Sequence, residues 1–400
     1  MSLSILTAGE GYALPRVFGT VLATGHLALA KTDLPRAYHL LLGTGPWSQL
    51  RALYYRGEDI TGRTGEYHFH PGQPSSGFND PVQGIDSFFP SGIPYSEVAY
   101  LAWSPGEDDE NPDPSQLVGL YDALILPDYD AGGFALSPGF SSNNARAAIQ
   151  CLKDAEIDLG RVHWPSWVAW RDFCEGVINW DSGATPTHAP IKRFEAHVPF
   201  LSSLTISDAL TVLCDLSATI WQDDGESIRF QPVALQAPTF TFDEDNIVRN
   251  SVAIYEIDVR EVKTHQVVNF RNLDDPLLPP ASITAKLGTD LEGDLENREA
   301  QTLEYGAMYY SQAQRIGKYT LRRQLPKRTT FTAFGQSFSV QAGDQCTIDH
   351  PAFGNARTIQ ILEIEDLTDQ ADTRRYTAGI LTEALYSDAD HGPITDTTAT

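Results

Sequence analysis

Two imidazoles and a carboxylate alternate at Glu66, His68 and His70. If residues 65–69 are extended, the three project from one strand face, a spacing that can bring nitrogen and oxygen donors to a metal ion. No further ligand is fixed by spacing, and histidines on a strand face more often take ordinary hydrogen bonds, so neither a resident metal nor another cofactor is expected. Carboxylates suited to paired acid and base work on a sugar are numerous, and their number singles out none. There is no G-x-S-x-G elbow, and the glycines from Gly11 to Gly25 lack the spacing of a phosphate loop or dinucleotide fingerprint. No catalytic residue is assigned. The chain is not expected to be an enzyme.

Trp164, Trp167, Trp170 and Trp180 crowd one short stretch. Exposed, such rings stack on sugars, which makes a cell-wall glycosidase or sugar-binding module the alternative function. With Cys174 and Val177, however, Trp167 and Trp170 recur at helical spacing, the pattern that burial in a core or subunit interface produces. The run Glu107-Asp108-Asp109-Glu110 is most simply a solvated loop tip, with a calcium or partner contact the minority reading. Cys151, Cys174, Cys214 and Cys346 are widely spaced without a C-x-x-C pair, and three fall on apolar faces. Buried free thiols are expected, not disulfides or a zinc site.

Charge narrows the partners. In 400 residues, 53 acidic side chains against 28 basic ones give a formal net charge of −25, which opposes a tight grip on a phosphate backbone. Sequence-specific DNA binding is not expected, and a merely soluble acidic surface accounts for the charge. The length allows roughly two to four domains. No apolar run approaches the ~20 residues of a membrane helix, and the opening MSLSILTAGEGY lacks the basic start and long apolar core of a secretion signal. Neither a membrane span nor export by that route is expected.

The elements that must position these residues follow from periodicity. Residues 17–22, 37–42 and 50–55 read as strands, with Arg56-Gly57-Glu58-Asp59 a hairpin tip. Prolines including Pro71, Pro90, Pro127 and Pro138 interrupt every potential helix between 71 and 140, leaving loops and short strands. A helix capped at Asn143 or Asn144 should bury Ala148, Cys151, Leu152 and Ala155, and a second should start at Pro165. Phe194, Ala196, Val198 and Phe200 alternate as a strand. Thr205 or Ser207 caps a short helix through Leu213, and Asp223-Asp224-Gly225 turns a hairpin. Residues 254–259 and 266–270 continue the strand pattern, 274–299 suit an exposed connection, and the tail from Asp388 to Thr400 should fray or be tied down only by a partner.

Residues 304–349 join a helix to short strands. Tyr309, Ala313, Ile316 and Thr320 share one helical face, Arg315, Lys318 and Arg322 another, and Pro326 ends the helix. Phe331 and Ala333 then alternate, Gly335 turns the chain, Phe338 and Val340 alternate, and Ala342-Gly343-Asp344 turns it again before Cys346 and Ile348. Further strands read at 357–365 and 374–386.

The Gln312-Ala313-Gln314-Arg315 helix leading through Leu325-Pro326 into strands, the Gly343-Asp344 turn and the terminal Thr382-Glu383-Ala384-Leu385-Tyr386 together resemble the C-terminal part of the tail hub family. These are the tip attachment or baseplate hub proteins of long-tailed bacteriophages and gene transfer agents. Further matches are Arg193-Phe194-Glu195, the run from Ser207 to Cys214, Ile228 to Pro232, and the opening Leu14-Pro15-Arg16-Val17-Phe18-Gly19-Thr20. The resemblance implies an α+β, mainly β, ring-forming protein with two small β-barrels: residues 1–70 contributing to one barrel, an α+β insertion at 71–190, a strand-helix-hairpin hub domain at 191–272, a docking helix plus barrel at 273–387, and a flexible tail at 388–400.

It further implies a homotrimer at the distal tail tip of a virion, assembled in the host cytoplasm. Such a ring meets the distal tail protein or tail tube, the tape-measure protein and a central fibre or spike, with DNA only in transit. Many members continue into receptor-binding regions, so host recognition is expected in a separate protein. Arg315, Lys318 and Arg322, with the strand edges, are the candidate assembly interface against acidic neighbours. Solvation or local pairing of the three cations is the alternative.

Overall fold

The computed structural model describes residues 14–31, 36–72, 97–106, 111–178, 190–200, 204–233, 238–255, 262–273, 277, 279–286, 302–324, 327–367, 372–381 and 385–390. The acidic run at 107–110, Trp180 and Pro326 lie outside them.

Leu117–Tyr129, a strand of 13 residues, is the spine of the first sheet. It pairs antiparallel with Trp47–Tyr55, Thr20–Ala23 and Ala135–Phe140. The expectation of only short strands here is corrected. Pro127 and Pro138 both fall at a break in register between Leu136 and Gly139, a bulge where missing N–H groups do least harm. The expected hairpin tip forms: Tyr55 faces Glu58, and Arg56 (φ 52) and Gly57 (φ 84) both take the left-handed backbone of a two-residue turn.

The second sheet runs in the order His26–Lys31, Ala37–Thr44, Val98–Trp103, Tyr67–His70. It packs across the first, with ring centroids 4.9 Å apart for Tyr55 and Trp103 and 5.6 Å for Phe69 and Tyr121. Both sheets join strands from either side of residue 70, so 1–70 is not a separate unit.

A helical layer closes this body. In α1 (Asn144–Asp154) Asn143 caps the N–H of Ala145 at 2.9 Å, Ala148 and Leu152 are buried, and the expected fourth member, Ala155, is exposed at the helix end. α2 (Trp164–Glu175) buries Trp167, Trp170 and Cys174. Val177 lies beyond its end and is 67% exposed. Phe194, Ala196, Val198 and Phe200 are buried as expected, but so is His197, and only Pro199–Phe200 is a paired strand there, against Arg16–Val17. α3 (Ile206–Asp215) is capped by Thr205, whose hydroxyl accepts from the Asp208 N–H at 3.2 Å. Thr205→Ala should lower stability by about 1 kcal/mol, read as a lower urea midpoint with an unchanged slope.

The hairpin Thr219–Asp223 with Ile228–Pro232 forms as expected. Within the presumed connection at 274–299, Ala281–Lys286 is instead a strand that buries Ile283 and Ala285 against His265–Asn272. Leu303–Met308 adds a parallel neighbour. α4 (Tyr310–Arg322) lies on this sheet at Gly317, where a Cβ would come within 2.7 Å of the Ala285 Cβ.

A six-stranded sheet has its own core. Its order is Thr241–Asp243, Gln345–Asp349, Arg357–Asp366, Thr373–Leu381, Lys327–Phe334, Ala253–Tyr255. Phe242, Phe331, Tyr376 and Ile361 pack inside it, separate from the main core. The end strands do not pair with each other, which leaves a half-barrel. Phe338, expected on a strand, sits in a short 3-10 turn at Gly335–Ser339 with 38% exposure. The fold is α+β and mainly β. The sheet takes strands from both sides of residue 273, so that expected boundary is also crossed: the chain leaves the main body for 241–255, returns, and leaves again for 327–381.

Candidate assembly site

The Glu66, His68 and His70 constellation partly assembles. The rings of His68 and His70 lie 4.1 Å apart, and His70 stacks on Tyr100 at 4.1 Å. Glu66 is paired with Arg63 instead, at 3.8 Å. Among the described residues no group of three or more such side chains is placed to hold a metal. Trp167 and Trp170 are fully buried, with their N–H groups on the Ala145 carbonyl (2.8 Å) and the Ser217 hydroxyl (2.9 Å). They offer no face to a sugar.

Nucleophiles are equally poorly placed. All four cysteines are free, and burial pushes the Cys151 and Cys174 thiols up to about 12 and that of Cys346 to about 11, so thiolate is scarce at neutral pH. One serine, carboxylate and imidazole set does converge: Ser142 donates to Glu195 at 2.5 Å, and Glu195 lies 3.9 Å from the Nε2 of His197. The hydroxyl faces the carboxylate, and the imidazole Nδ1 already accepts from the Thr20 N–H at 2.8 Å. The order needed for serine activation is therefore wrong. A cleft of about 710 Å³, lined by residues such as Val21, Leu42, Phe270 and Arg271, carries no carboxylate.

The α4 face is where sequence and structure diverge most. Arg315, placed by sequence on an assembly surface, is 0% exposed. Its Nε donates to the Ser311 carbonyl (3.2 Å) and its Nη1 to the Arg193 carbonyl (2.7 Å) and the Tyr386 hydroxyl (2.8 Å), while its guanidinium carbon lies 5.2 Å from the centre of the Phe194 ring. It cannot meet a neighbouring subunit. Nearly the whole helix is buried, because the three-stranded sheet and the 193–200 segment both cover it.

Lys318 and Arg322 meet an acidic surface, but one on their own chain. Arg322 pairs with both carboxylate oxygens of Asp390, and Lys318 lies 3.7 Å from the same group. Beside them Arg193 holds Asp388 in a two-point fork at 2.9 Å and 2.9 Å. Asp388 also accepts from Tyr386 at 2.8 Å. Burial opposes its charge, yet Arg193 and the Tyr386 hydroxyl outweigh burial and hold its carboxyl below the usual carboxylate range. The tail expected to fray from Asp388 is thus tied down as far as Asp390. Arg193, Tyr386, Asp388 and Asp390 formed no site by sequence reasoning; the available signal was a Tyr-x-Asp-x-Asp string following a basic helix face.

No protein-family model matches the chain, and no curated protein matches it. Among solved structures, a chain from the virion of a native gene transfer agent particle has a TM-score of 0.69 at 13% identity, over 97% of this chain and 88% of that one. This likeness establishes a shared fold. The tail protein from Neisseria meningitidis MC58 gives a TM-score of 0.37 at 12% identity, covering 96% of this chain and 100% of that one. The 43 kDa tail protein of prophage MuSo2 from Shewanella oneidensis gives 0.37 at 9%, covering 94% and 99%.

Proposed function

We propose that this chain is a structural tail protein of a phage or gene-transfer-agent particle, and specifically the hub that closes the distal end of the tail tube. The observation that carries this reading is the whole-chain fold shared with a gene transfer agent virion chain at 13% identity. Three copies would form a ring between the distal tail protein or tube and a central fibre or spike, hold the tape-measure terminus, and open for DNA.

Two physical features support a mechanical rather than a catalytic role. None of the serine, cysteine or histidine groups described above is poised for covalent chemistry, and a net charge of −25 suits a wall that DNA must not stick to. The sugar-active alternative loses its main support with Trp167 and Trp170 buried. No helix among the described residues is long and apolar enough to cross a membrane.

Gold-labelled antibody on intact particles tests the position: label is expected at the tail end away from the head, and label on the capsid or none on particles overturns it. Light scattering should give three times 44.0 kDa for the purified chain, or three copies of it within the complex formed once the distal tail protein is added. Peptidoglycan turnover abolished by one carboxylate substitution would instead establish the enzyme.

A further inference from the structure

Four cations and two aromatic rings of the main body form a groove, and Tyr386–Asp390 fills it. Tyr386 sits in an aromatic pocket, its ring centroid 5.2 Å from that of Phe194 and 5.7 Å from that of Phe173. Arg315 reads its hydroxyl from below, Arg193 forks Asp388, and Lys318 with Arg322 takes Asp390. Tyr386 and Asp390 are each 7% exposed, whereas Ala389 between the two aspartates faces solvent. The gripped residues are Tyr386, Asp388 and Asp390, and the chain turns at Asp388–Ala389, where the Asp390 N–H donates to the Ser387 carbonyl at 3.3 Å.

We propose that this groove is a docking site for an acidic peptide of pattern Tyr-x-Asp-x-Asp, filled in the isolated chain by its own residues and, in a ring of three, by those of a second copy. The second half rests on the hub reading above. The plug and the socket belong to different bodies: Thr373–Leu381 is the last strand of the six-stranded sheet, while Tyr386 packs in the main core. The segment adds no strand to the sheet it follows, so it can leave without dismantling that sheet. Exchange of such an element between identical subunits costs little, because each groove keeps the same contacts. In a chain of net charge −25, a local basic groove also selects the acidic segment from a surface that otherwise repels it. Arg315 holds a further donor in reserve, since its Nη2 is buried with no hydrogen-bond partner.

The groove is tested in the full-length chain emptied by Tyr386→Ala, Asp388→Ala and Asp390→Ala, titrated with the synthetic peptide Leu-Tyr-Ser-Asp-Ala-Asp. One-to-one binding is expected, with no binding to the wild-type chain, whose groove is filled. A peptide carrying Asn for both Asp residues should bind about tenfold or more weakly, as charge-assisted bonds are lost, and added salt should weaken the acidic peptide further. A folded, emptied chain that ignores the peptide, or binds the amide version equally well, overturns the groove.

Exchange is tested separately, with Tyr386 and Asp388 left in place. One preparation carries Lys318→Cys and another Asp390→Cys; mixed and treated with a short bismaleimide, they should yield crosslinked pairs of chains, while both substitutions on one chain give the internal crosslink as control. A ring of three without crosslinked pairs overturns exchange and leaves the hub standing. Crosslinked pairs without a ring of three support exchange and count against the hub.

Discussion

Arg315→Met should destabilise the chain by about 2–6 kcal/mol, since two buried acceptors lose their donor at roughly 1–3 kcal/mol each. Those acceptors are the Arg193 carbonyl and the Tyr386 hydroxyl, both bound by the same Nη1. Methionine fills similar space beside Phe194 but offers no N–H. Arg315→Lys should recover less than half of the loss, because an ammonium cannot reproduce a planar fork that also serves the Ser311 carbonyl. Urea unfolding of the three chains decides the matter, and a methionine variant within about 0.5 kcal/mol of wild type, the range of neutral surface changes, would show that the guanidinium is not the pin of this joint. For the same reason, reversing Arg315, Lys318 and Arg322 to glutamate should unfold the monomer, not merely weaken assembly. A carboxylate at position 315 would face a carbonyl and a hydroxyl oxygen with no water to screen it.

Gly19→Ala is expected to cost on the order of 4 kcal/mol, among the large single-substitution effects. Gly19 has φ +72, and a Cβ there would lie 2.1 Å from the Ala196 carbonyl oxygen and 2.5 Å from the His197 Nδ1. The carbonyl cannot move aside. Phe18 and Val198 exchange backbone hydrogen bonds at 3.0 Å and 3.2 Å, and the Ala123 N–H donates to the Gly19 carbonyl at 2.9 Å. Gly57→Ala is the control: φ is +84, but nothing lies within 4 Å of its Cβ. It should cost only the ~1–2 kcal/mol of a left-handed non-glycine residue. Equal losses at the two positions would mean that backbone conformation, and not the close approach to Ala196, sets the penalty at Gly19.

Local rules located most elements. Asn143 and Thr205 cap helices as expected, Arg56-Gly57 turns its hairpin, and the Trp167, Trp170, Cys174 stripe is core. Each of these depends on neighbours within a few residues. Reading failed where the deciding partner is distant. Pro127 looks like a strand breaker until it meets the bulge opposite Pro138. Ala281–Lys286 looks like a polar loop until one face of it is buried beneath α4. Arg315 looks solvated because helical periodicity describes one element, whereas its acceptors come from 122 and 71 residues away.

The double excursion of the chain has a consequence during synthesis. Thr241–Asp243 lies parallel to Gln345–Asp349, with Thr241 opposite Thr347, and Ala253–Tyr255 waits for Lys327–Phe334. The ribosome therefore releases Phe242 and Ile254 well before the strands that will cover or flank them exist. At ~5–20 residues per second, that interval lasts several seconds, and through it an apolar edge stands open to any passing nascent chain. Chaperone capture of the nascent chain is expected in that interval, before the six-stranded sheet is complete.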